Sequence, residues 1–300
     1  ASQLADLIAS MSMEALTGLL NAFDERVHAV RGHKGQLTVA KNFRLLTEGS
    51  EILSNCQQDR VQDAYSLRCI PQVHGAIRDA IDYVMEKVSI ELNAVTDNPL
   101  VFLDDENVIS GGNFHGEPMA LAFDFLGIAC SEIADISERR TERMVNAALS
   151  NGLTPFLTTE GGGNSGYMMV QYSAAPMVSE NKVLAHPASV DSIPSSANQE
   201  DMVSMGTTAA RKAGWIVQNT LSVLADELLT ACQGIDIRRR LNTHGQGISP
   251  VHQKVYDCVR KVADFYEVDR ELWPDIKAVE KLVRSGELLE IVRSTVADFE

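Results

Sequence analysis

The sequence predicts an all-α fold: an elongated bundle of long helices joined by irregular loops. Three observations carry this. Apolar residues recur at steps of three and four over long stretches. Alternating strand patterns are nearly absent. Three polar or glycine-rich connectors interrupt the helical text at 97–115, 158–166 and 186–200.

The first long stripe is Ile77, Ile81, Val84, Val88, Leu92 and Val95. Pro71 stands where a helix tolerates proline, in its first turn, because the missing N–H has no intrahelical partner there anyway. Next, Leu100–Leu103 and Asn107–Ile109 flank the polar Asp104-Asp105-Glu106, which predicts a small hairpin. The second stripe, Met119, Ala122, Leu126, Ala129, Ile133 and Ile136, follows Glu117-Pro118, another first-turn proline. The third stripe is Val203, Gly206, Ala210, Ala213, Val217, Leu221, Leu224 and Leu228. Its small early residues let a neighbouring helix come close. Asn198-Gln199-Glu200-Asp201 precedes it and offers N-cap candidates. Each stripe predicts a helix of about 30–45 Å at 1.5 Å per residue. Such lengths need partners throughout, hence a bundle and a homo-oligomer. Residues 1–246 read as the central bundle portion with its loops. Residues 247–300 read as shorter helices punctuated by Pro250 and Pro274.

The chain has 300 residues, 45% of them hydrophobic, and a formal net charge of −15. That composition is globular. The acidic balance excludes a nucleic-acid partner and an anionic membrane surface, since little could neutralise phosphate. No apolar run approaches the ~20 residues of a membrane-spanning helix. Five scattered cysteines with no CxxC pair predict reduced thiols in a cytoplasmic protein without structural zinc. The first residue is not Met, which suggests a processed chain or a piece of a longer one.

Several motifs favour bland readings. Gly161 to Gly166 satisfies GxGxxG, but only a weak strand, Pro155–Thr159, precedes it and no βαβ unit surrounds it. His115-Gly116-Glu117 lacks the downstream PCxxC of zinc deaminases. His28 and His33 read as surface residues. Ser165 has no nucleophile elbow. Arg238-Arg239-Arg240 reads as solvated charge at a helix C-terminus, and Glu138 to Arg143 as an exposed ion-pair face.

Two segments offer chemistry. Gln62-Asp63-Ala64-Tyr65-Ser66-Leu67-Arg68 puts an amide, a carboxylate, a phenol and a guanidinium together before a long helix. It is either a capping network or a site where Arg68 grips a substrate carboxylate bidentately and Tyr65 handles a proton. Asn198 to Asp201 either caps a helix or supplies a carboxylate to bind an amine or act as a base.

A string of motifs, in order, resembles the histidine and aromatic amino-acid ammonia-lyase family. It comprises Gln62 to Cys69, Thr96-Asp97-Asn98-Pro99, Gly111 to Pro118, and Asn164-Ser165-Gly166-Tyr167-Met168. It continues through Ser179-Glu180-Asn181-Lys182, Ala185 to Ser192 and Ser196 to Asp201. The Gln199-Glu200-Asp201 form, with Ala188-Ser189-Val190-Asp191-Ser192, resembles the histidine branch. The resemblance implies a fumarase/aspartase-like helical bundle assembled as a homotetramer. It also implies elimination of ammonia from an α-amino acid, giving urocanate from histidine in a pathway of histidine catabolism.

By the same resemblance Arg68 pairs with the substrate carboxylate and Tyr65 sits at the reacting centre. Gln62 supports through hydrogen bonds, Phe114 packs on the substrate and Met168 lines the ring pocket. Glu200 contacts the imidazole or moves a proton. Aromatic amino-acid lyases and aminomutases share the pattern, and a catalytically silent helical scaffold would share the fold.

The family uses no external cofactor and no metal. Its electrophile is a methylidene-imidazolone formed from its own Ala-Ser-Gly. This chain departs from the family there: it has no Ala-Ser-Gly, and its Ser-Gly pairs follow Ile109, Asn164 and Arg284. The expectation is a C-terminal portion, inactive without an N-terminal part that carries the electrophile. Ala64 stands where the family usually has Pro, and Met202 where it usually has His. Both bear on the loop and the pocket.

Overall fold

The computed structural model describes residues 1–300 and contains twelve α-helices and one two-stranded sheet. In chain order the first helices are α1 (Ser2–Leu16), α2 (Glu25–Ala29), α3 (Lys34–Thr47), α4 (Glu51–Asn55), α5 (Tyr65–Arg68) and α6 (Ile70–Glu91). The hairpin β1 (Leu100–Phe102) and β2 (Asn107–Ile109) follows, and then α7 (Glu117–Val145), α8 (Met168–Leu184) and α9 (Gly206–Leu241). The chain ends with α10 (Pro250–Arg260), α11 (Trp273–Ser285) and α12 (Glu287–Thr295). None of these helices is long and apolar enough to cross a membrane.

The three predicted stripes are α6, α7 and α9, of 22, 29 and 36 residues. Pro71 and Pro118 both sit in first turns, as expected. The hairpin pairs antiparallel with Val101 opposite Val108. α7 and α9 form the most extensive helix pair, and α6, α1 and α8 pack around them. Small residues permit the close crossing: a Cβ on Gly127 would lie 3.1 Å from Ile216 Cδ1 and 3.9 Å from Ala213 Cα. One continuous core of 51 buried residues runs from Leu4 in α1 to Val292 in α12 and Phe299. At roughly 1.5–3 kcal/mol per fully buried Leu, Ile or Phe, that shared core is the main stabilising contribution.

The sequence does not announce α1. All its residues from Leu4 to Leu16 are buried, so it has no solvent face and no amphipathic period. Its polar residues are buried too, and each has partners. Asp6 accepts from His74 Nδ1 (2.8 Å), Arg78 (2.8 Å) and Asn42 (3.0 Å). Ser12 donates to Glu227 Oε1 (2.7 Å). Glu14 accepts from the Ser50 hydroxyl (2.6 Å) and the Ser249 N–H (3.0 Å). Thr17 ends the helix in the left-handed conformation, and Gly18 N–H returns to Met13 O at 2.8 Å.

Several expectations are corrected. The Asn198–Asp201 segment caps no helix: α9 begins at Gly206 behind Met205, which makes no side-chain cap bond. Residues 196–198 are left-handed and close a separate turn instead. α6 ends at Glu91, so Leu92 and Val95 of its stripe lie beyond it and are exposed. Pro155–Leu157 is a 3₁₀ turn, not a strand, with Phe156 and Leu157 at positive φ.

His33 is exposed as expected, but His28 is fully buried, held by Ala22 O (3.0 Å) and Gln36 (2.9 Å). The Glu138–Arg143 face is not exposed as a whole. Arg140 is buried on an ion pair with Glu227, and Glu138 and Thr141 are buried as well. Arg238 is likewise buried and donates to the carbonyls of Ala15, Ser150 and Asn151. Arg140 and Arg238 each find enough internal acceptors to leave water. All five cysteines are free.

Candidate functional site

The Gln62–Arg68 segment is fastened to the end of α1 by its own carboxylate. Asp63 is buried. Its Oδ2 accepts the Leu19 N–H at 2.6 Å and its Oδ1 accepts Arg60 Nε at 2.7 Å. Arg60 also donates to Thr17 O at 2.6 Å. This explains the acid in the motif: it is an anchor. The single turn α5 then begins behind Ala64, whose φ of −65° is the angle a proline would impose.

Arg68 donates Nε to Asp63 O at 2.8 Å, and its guanidinium stands 4.7 Å from the Tyr65 ring centroid. That is a cation–π contact. Its two Nη groups carry no hydrogen bond within the chain, and Tyr65 is 70% exposed. Gln62 and Arg68 line a cavity of about 310 Å³ with Asn21, Val27, Cys69 and Gln72. The structural and functional readings of the motif therefore divide between residues. Asp63 holds the loop, while Arg68 keeps its two Nη donors unbonded beside the cavity.

A second cavity, of about 270 Å³, is lined by Phe114, His115, Glu200 and Met202. His115 is a strut here. Its Nε2–H donates to Met202 O at 3.0 Å, while Nδ1 accepts the Glu117 N–H at 3.3 Å. With both ring nitrogens used by backbone, the zinc-deaminase reading of this His is closed on geometry. Glu200 is exposed, and its Oε2 accepts the Ser195 hydroxyl at 2.8 Å.

The structure thus places Gln62 and Arg68 at one cavity, with Tyr65 against the Arg68 guanidinium but outside the lining, and Phe114 with Glu200 at another. Met168 opens α8 behind the fully buried Tyr167 and lines neither cavity. The particular supporting contacts of three residues appear only in the structure. These are the anchor Asp63, the strut His115, and Arg140, which reaches from its buried ion pair to Ser66 O at 3.5 Å. The Arg60–Asp63 spacing of three is the only sequence signal for the first. Nothing in the sequence marks the third.

The bundle of long helices has the fold of the helical ammonia-lyases and aminomutases, as the solved structures it superimposes on show. Residues 1–261 match the aromatic amino acid lyase family, and the chain belongs to it. Histidine ammonia-lyase 1 of Fusobacterium nucleatum is 54% identical over 295 residues, covering 98% of this chain and 56% of that protein. Histidine ammonia-lyase of Caldanaerobacter subterraneus is 57% identical over 289 residues, covering 96% and 56%. Among solved structures, histidine ammonia-lyase from Trypanosoma cruzi superimposes with a TM-score of 0.90 at 46% identity, covering 99% of this chain and 55% of that one. A tyrosine aminomutase from Streptomyces globisporus gives 0.92 at 36% identity, covering 100% and 60%. The chain therefore spans a little over half the length of the relatives it matches.

The Ser-Gly pairs do not fit the family's internal prosthetic group. None follows Ala. The N–H groups of Ser165 and Gly166 both donate to Asp269, at 2.7 and 2.9 Å. Gly111 N–H is bound to Asn98 Oδ1 at 2.8 Å. Gly286 is the left-handed joint between α11 and α12.

Proposed function

We propose that this chain supplies the carboxylate-binding and proton-handling surfaces of an enzyme that eliminates ammonia from L-histidine to give trans-urocanate. The observation that carries this is Arg68, with two unbonded Nη groups over the Tyr65 ring beside an open cavity. The histidine ammonia-lyases at 54% and 57% identity support histidine as the substrate.

In this reading Arg68 grips the substrate carboxylate through two parallel N–H···O bonds, and Gln62 adds an amide beside it. Fixing the carboxylate orients the Cα–Cβ bond and removes much of the entropic barrier. Tyr65 and Glu200 hold or move the proton lost from Cβ, and each needs only to reach hydrogen-bond distance of it. Phe114 and Met168 exclude water from the ring. The electron sink comes from an N-terminal portion outside these 300 residues, and without it they do not turn over. The two cavities lie apart within one copy, so the complete pocket closes in a homo-oligomer, a tetramer as the family resemblance implies. Cytoplasmic location and a role in histidine breakdown accompany this reading.

An aminomutase or another aromatic amino-acid lyase is the second reading. The tyrosine aminomutase likeness and Met202 at the second cavity favour it. Product analysis separates the readings, because urocanate and cinnamate-type acids absorb at different wavelengths and an aminomutase releases a saturated β-amino acid instead. The test of the main reading is Arg68→Ala in the enzyme completed by its N-terminal portion. KM is expected to rise about 100-fold, or ~2.7 kcal/mol. Unchanged kinetics would overturn the assignment.

A further inference from the structure

We propose that Ser195 is a positioning residue that aims the Glu200 carboxylate, and that the left-handed turn between them is its rigid frame. This rests on the reading of Glu200 as the carboxylate that meets the substrate.

An exposed Glu has three rotatable bonds, and fixing them costs up to about 2 kcal/mol. Glu200 is exposed yet tied at three points to one residue. Ser195 N–H donates to Glu200 O at 2.9 Å, and Glu200 N–H donates to Ser195 O at 3.3 Å. The Ser195 hydroxyl donates to Oε2 at 2.8 Å, leaving Oε1 without a partner. A charge-assisted bond of that length is strong enough to select one rotamer.

The frame is unusual. Ser196, Ala197 and Asn198 all have positive φ, at 49°, 54° and 67°. Non-glycine residues in that region cost about 1–3 kcal/mol each and persist only where the surroundings over-determine them. The surroundings do so on both sides. The Ser195–Glu200 bridge closes the turn. Beyond it, His115 holds Met202 O at 3.0 Å, and the Ser192 hydroxyl accepts Val203 N–H at 2.8 Å. The carboxylate therefore sits on a bracket fixed at each end, facing the cavity that Phe114 shares.

The backbone of Ser195 makes the turn, whereas its hydroxyl touches only the carboxylate. Ser195→Ala therefore removes the aiming bond and keeps the frame, and Ser195→Thr restores the hydroxyl. In the enzyme completed by its N-terminal portion, Ser195→Ala is expected to lower kcat about tenfold with KM within about twofold. Ser195→Thr is expected to recover most of the loss. In a Glu200→Gln background Ser195→Ala should cost nothing further, because the two act as one unit. Equal losses in both backgrounds, or an unchanged kcat in Ser195→Ala while Glu200→Gln is crippled, would overturn the positioning role alone. An unaffected Glu200→Gln would overturn the reading of Glu200, and this proposal with it. In the 300-residue chain itself, NMR order parameters of the Glu200 side chain should fall in Ser195→Ala and stay high in Ser195→Thr. Equal order in wild type and Ser195→Ala overturns the proposal without recourse to activity.

Discussion

Arg140 on α7 and Glu227 on α9 form an ion pair with no solvent exposure on either side chain, Nη2 to Oε2 being 2.9 Å. Glu227 also accepts the hydroxyls of Ser12 and Ser137, at 2.7 and 2.6 Å, so three helices meet on one carboxylate. Removing one partner leaves a buried charge alone. Glu227→Ala is expected to cost about 3–5 kcal/mol, read as a lower urea midpoint. The double replacement Arg140→Met with Glu227→Leu is expected to recover most of that, since the pair's desolvation cost goes with it. A Glu227→Ala midpoint equal to wild type would refute the burial argument.

Asp226, the neighbour of Glu227, has the opposite situation. It is fully buried and neither carboxyl oxygen has a hydrogen-bond partner. Burial pushes its pKa up to about 8. The folded state thus keeps a proton that the unfolded chain loses near pH 4. This contribution to stability is fully present below that value and is lost as pH rises through about 8. Asp226→Asn should therefore gain on wild type between pH 4 and 8, by at most about 1.4 kcal/mol per pH unit, and level off above. Denaturation of both proteins across that range checks it; parallel profiles would contradict it.

Ala64→Pro tests the loop that carries Tyr65 and Arg68. Ala64 already has φ −65° and its carbonyl, not its N–H, starts α5. Proline is expected to add about 0.4–1 kcal/mol by restricting the unfolded chain. Thermal denaturation reads this directly, and a lower melting temperature would show that the loop needs a different angle.

Ser10, His252 and Glu14 reproduce the order of a hydrolase triad: Ser10 Oγ to Nε2 is 2.7 Å, and Nδ1 to Glu14 Oε1 is 3.0 Å. All three are sealed in the core and Ser10 also meets Leu7 O. Geometry without access gives a clamp of α10 on α1, not a nucleophile. A fluorophosphonate is expected to leave the intact mass of the native protein unchanged. Ser10→Ala is expected to cost about 1–3 kcal/mol, because His252 Nε2 loses its partner. Covalent labelling at Ser10 would refute this.

The legible part of the fold was what has two faces. α6, α7 and the first half of α9 expose one side and bury the other, so their stripes appear in the sequence, whereas Val223 to Ile235 of α9 are buried all round. α1 buries both sides and leaves no period to read. Charge misled for the converse reason. Arg140, Arg238 and His28 look like surface residues by type, yet each finds an internal acceptor, Ala22 O in the case of His28. In the site, residue type announced Arg68, Tyr65 and Glu200 as candidates. It could not announce that Arg68 and Glu200 lie at two cavities, because spacing along the chain does not encode distance across it. The Ser196–Asn198 turn was hidden too, since none of its residues is a glycine that would advertise positive φ.

The complete burial of α1 has a consequence for assembly. Its principal partner, α9, lies about 190 residues downstream. At about 10 residues per second, translation delivers that partner on the order of 20 s later. Until then α1 has α3, α4, α6 and α7 to pack against, but the side that α9 covers stays open. The contacts that complete the core are thus among the most non-local, which slows folding and lengthens exposure of a sticky intermediate. The side of α1 that faces α9 is therefore among the last surfaces of the core to leave water while the bundle is being made.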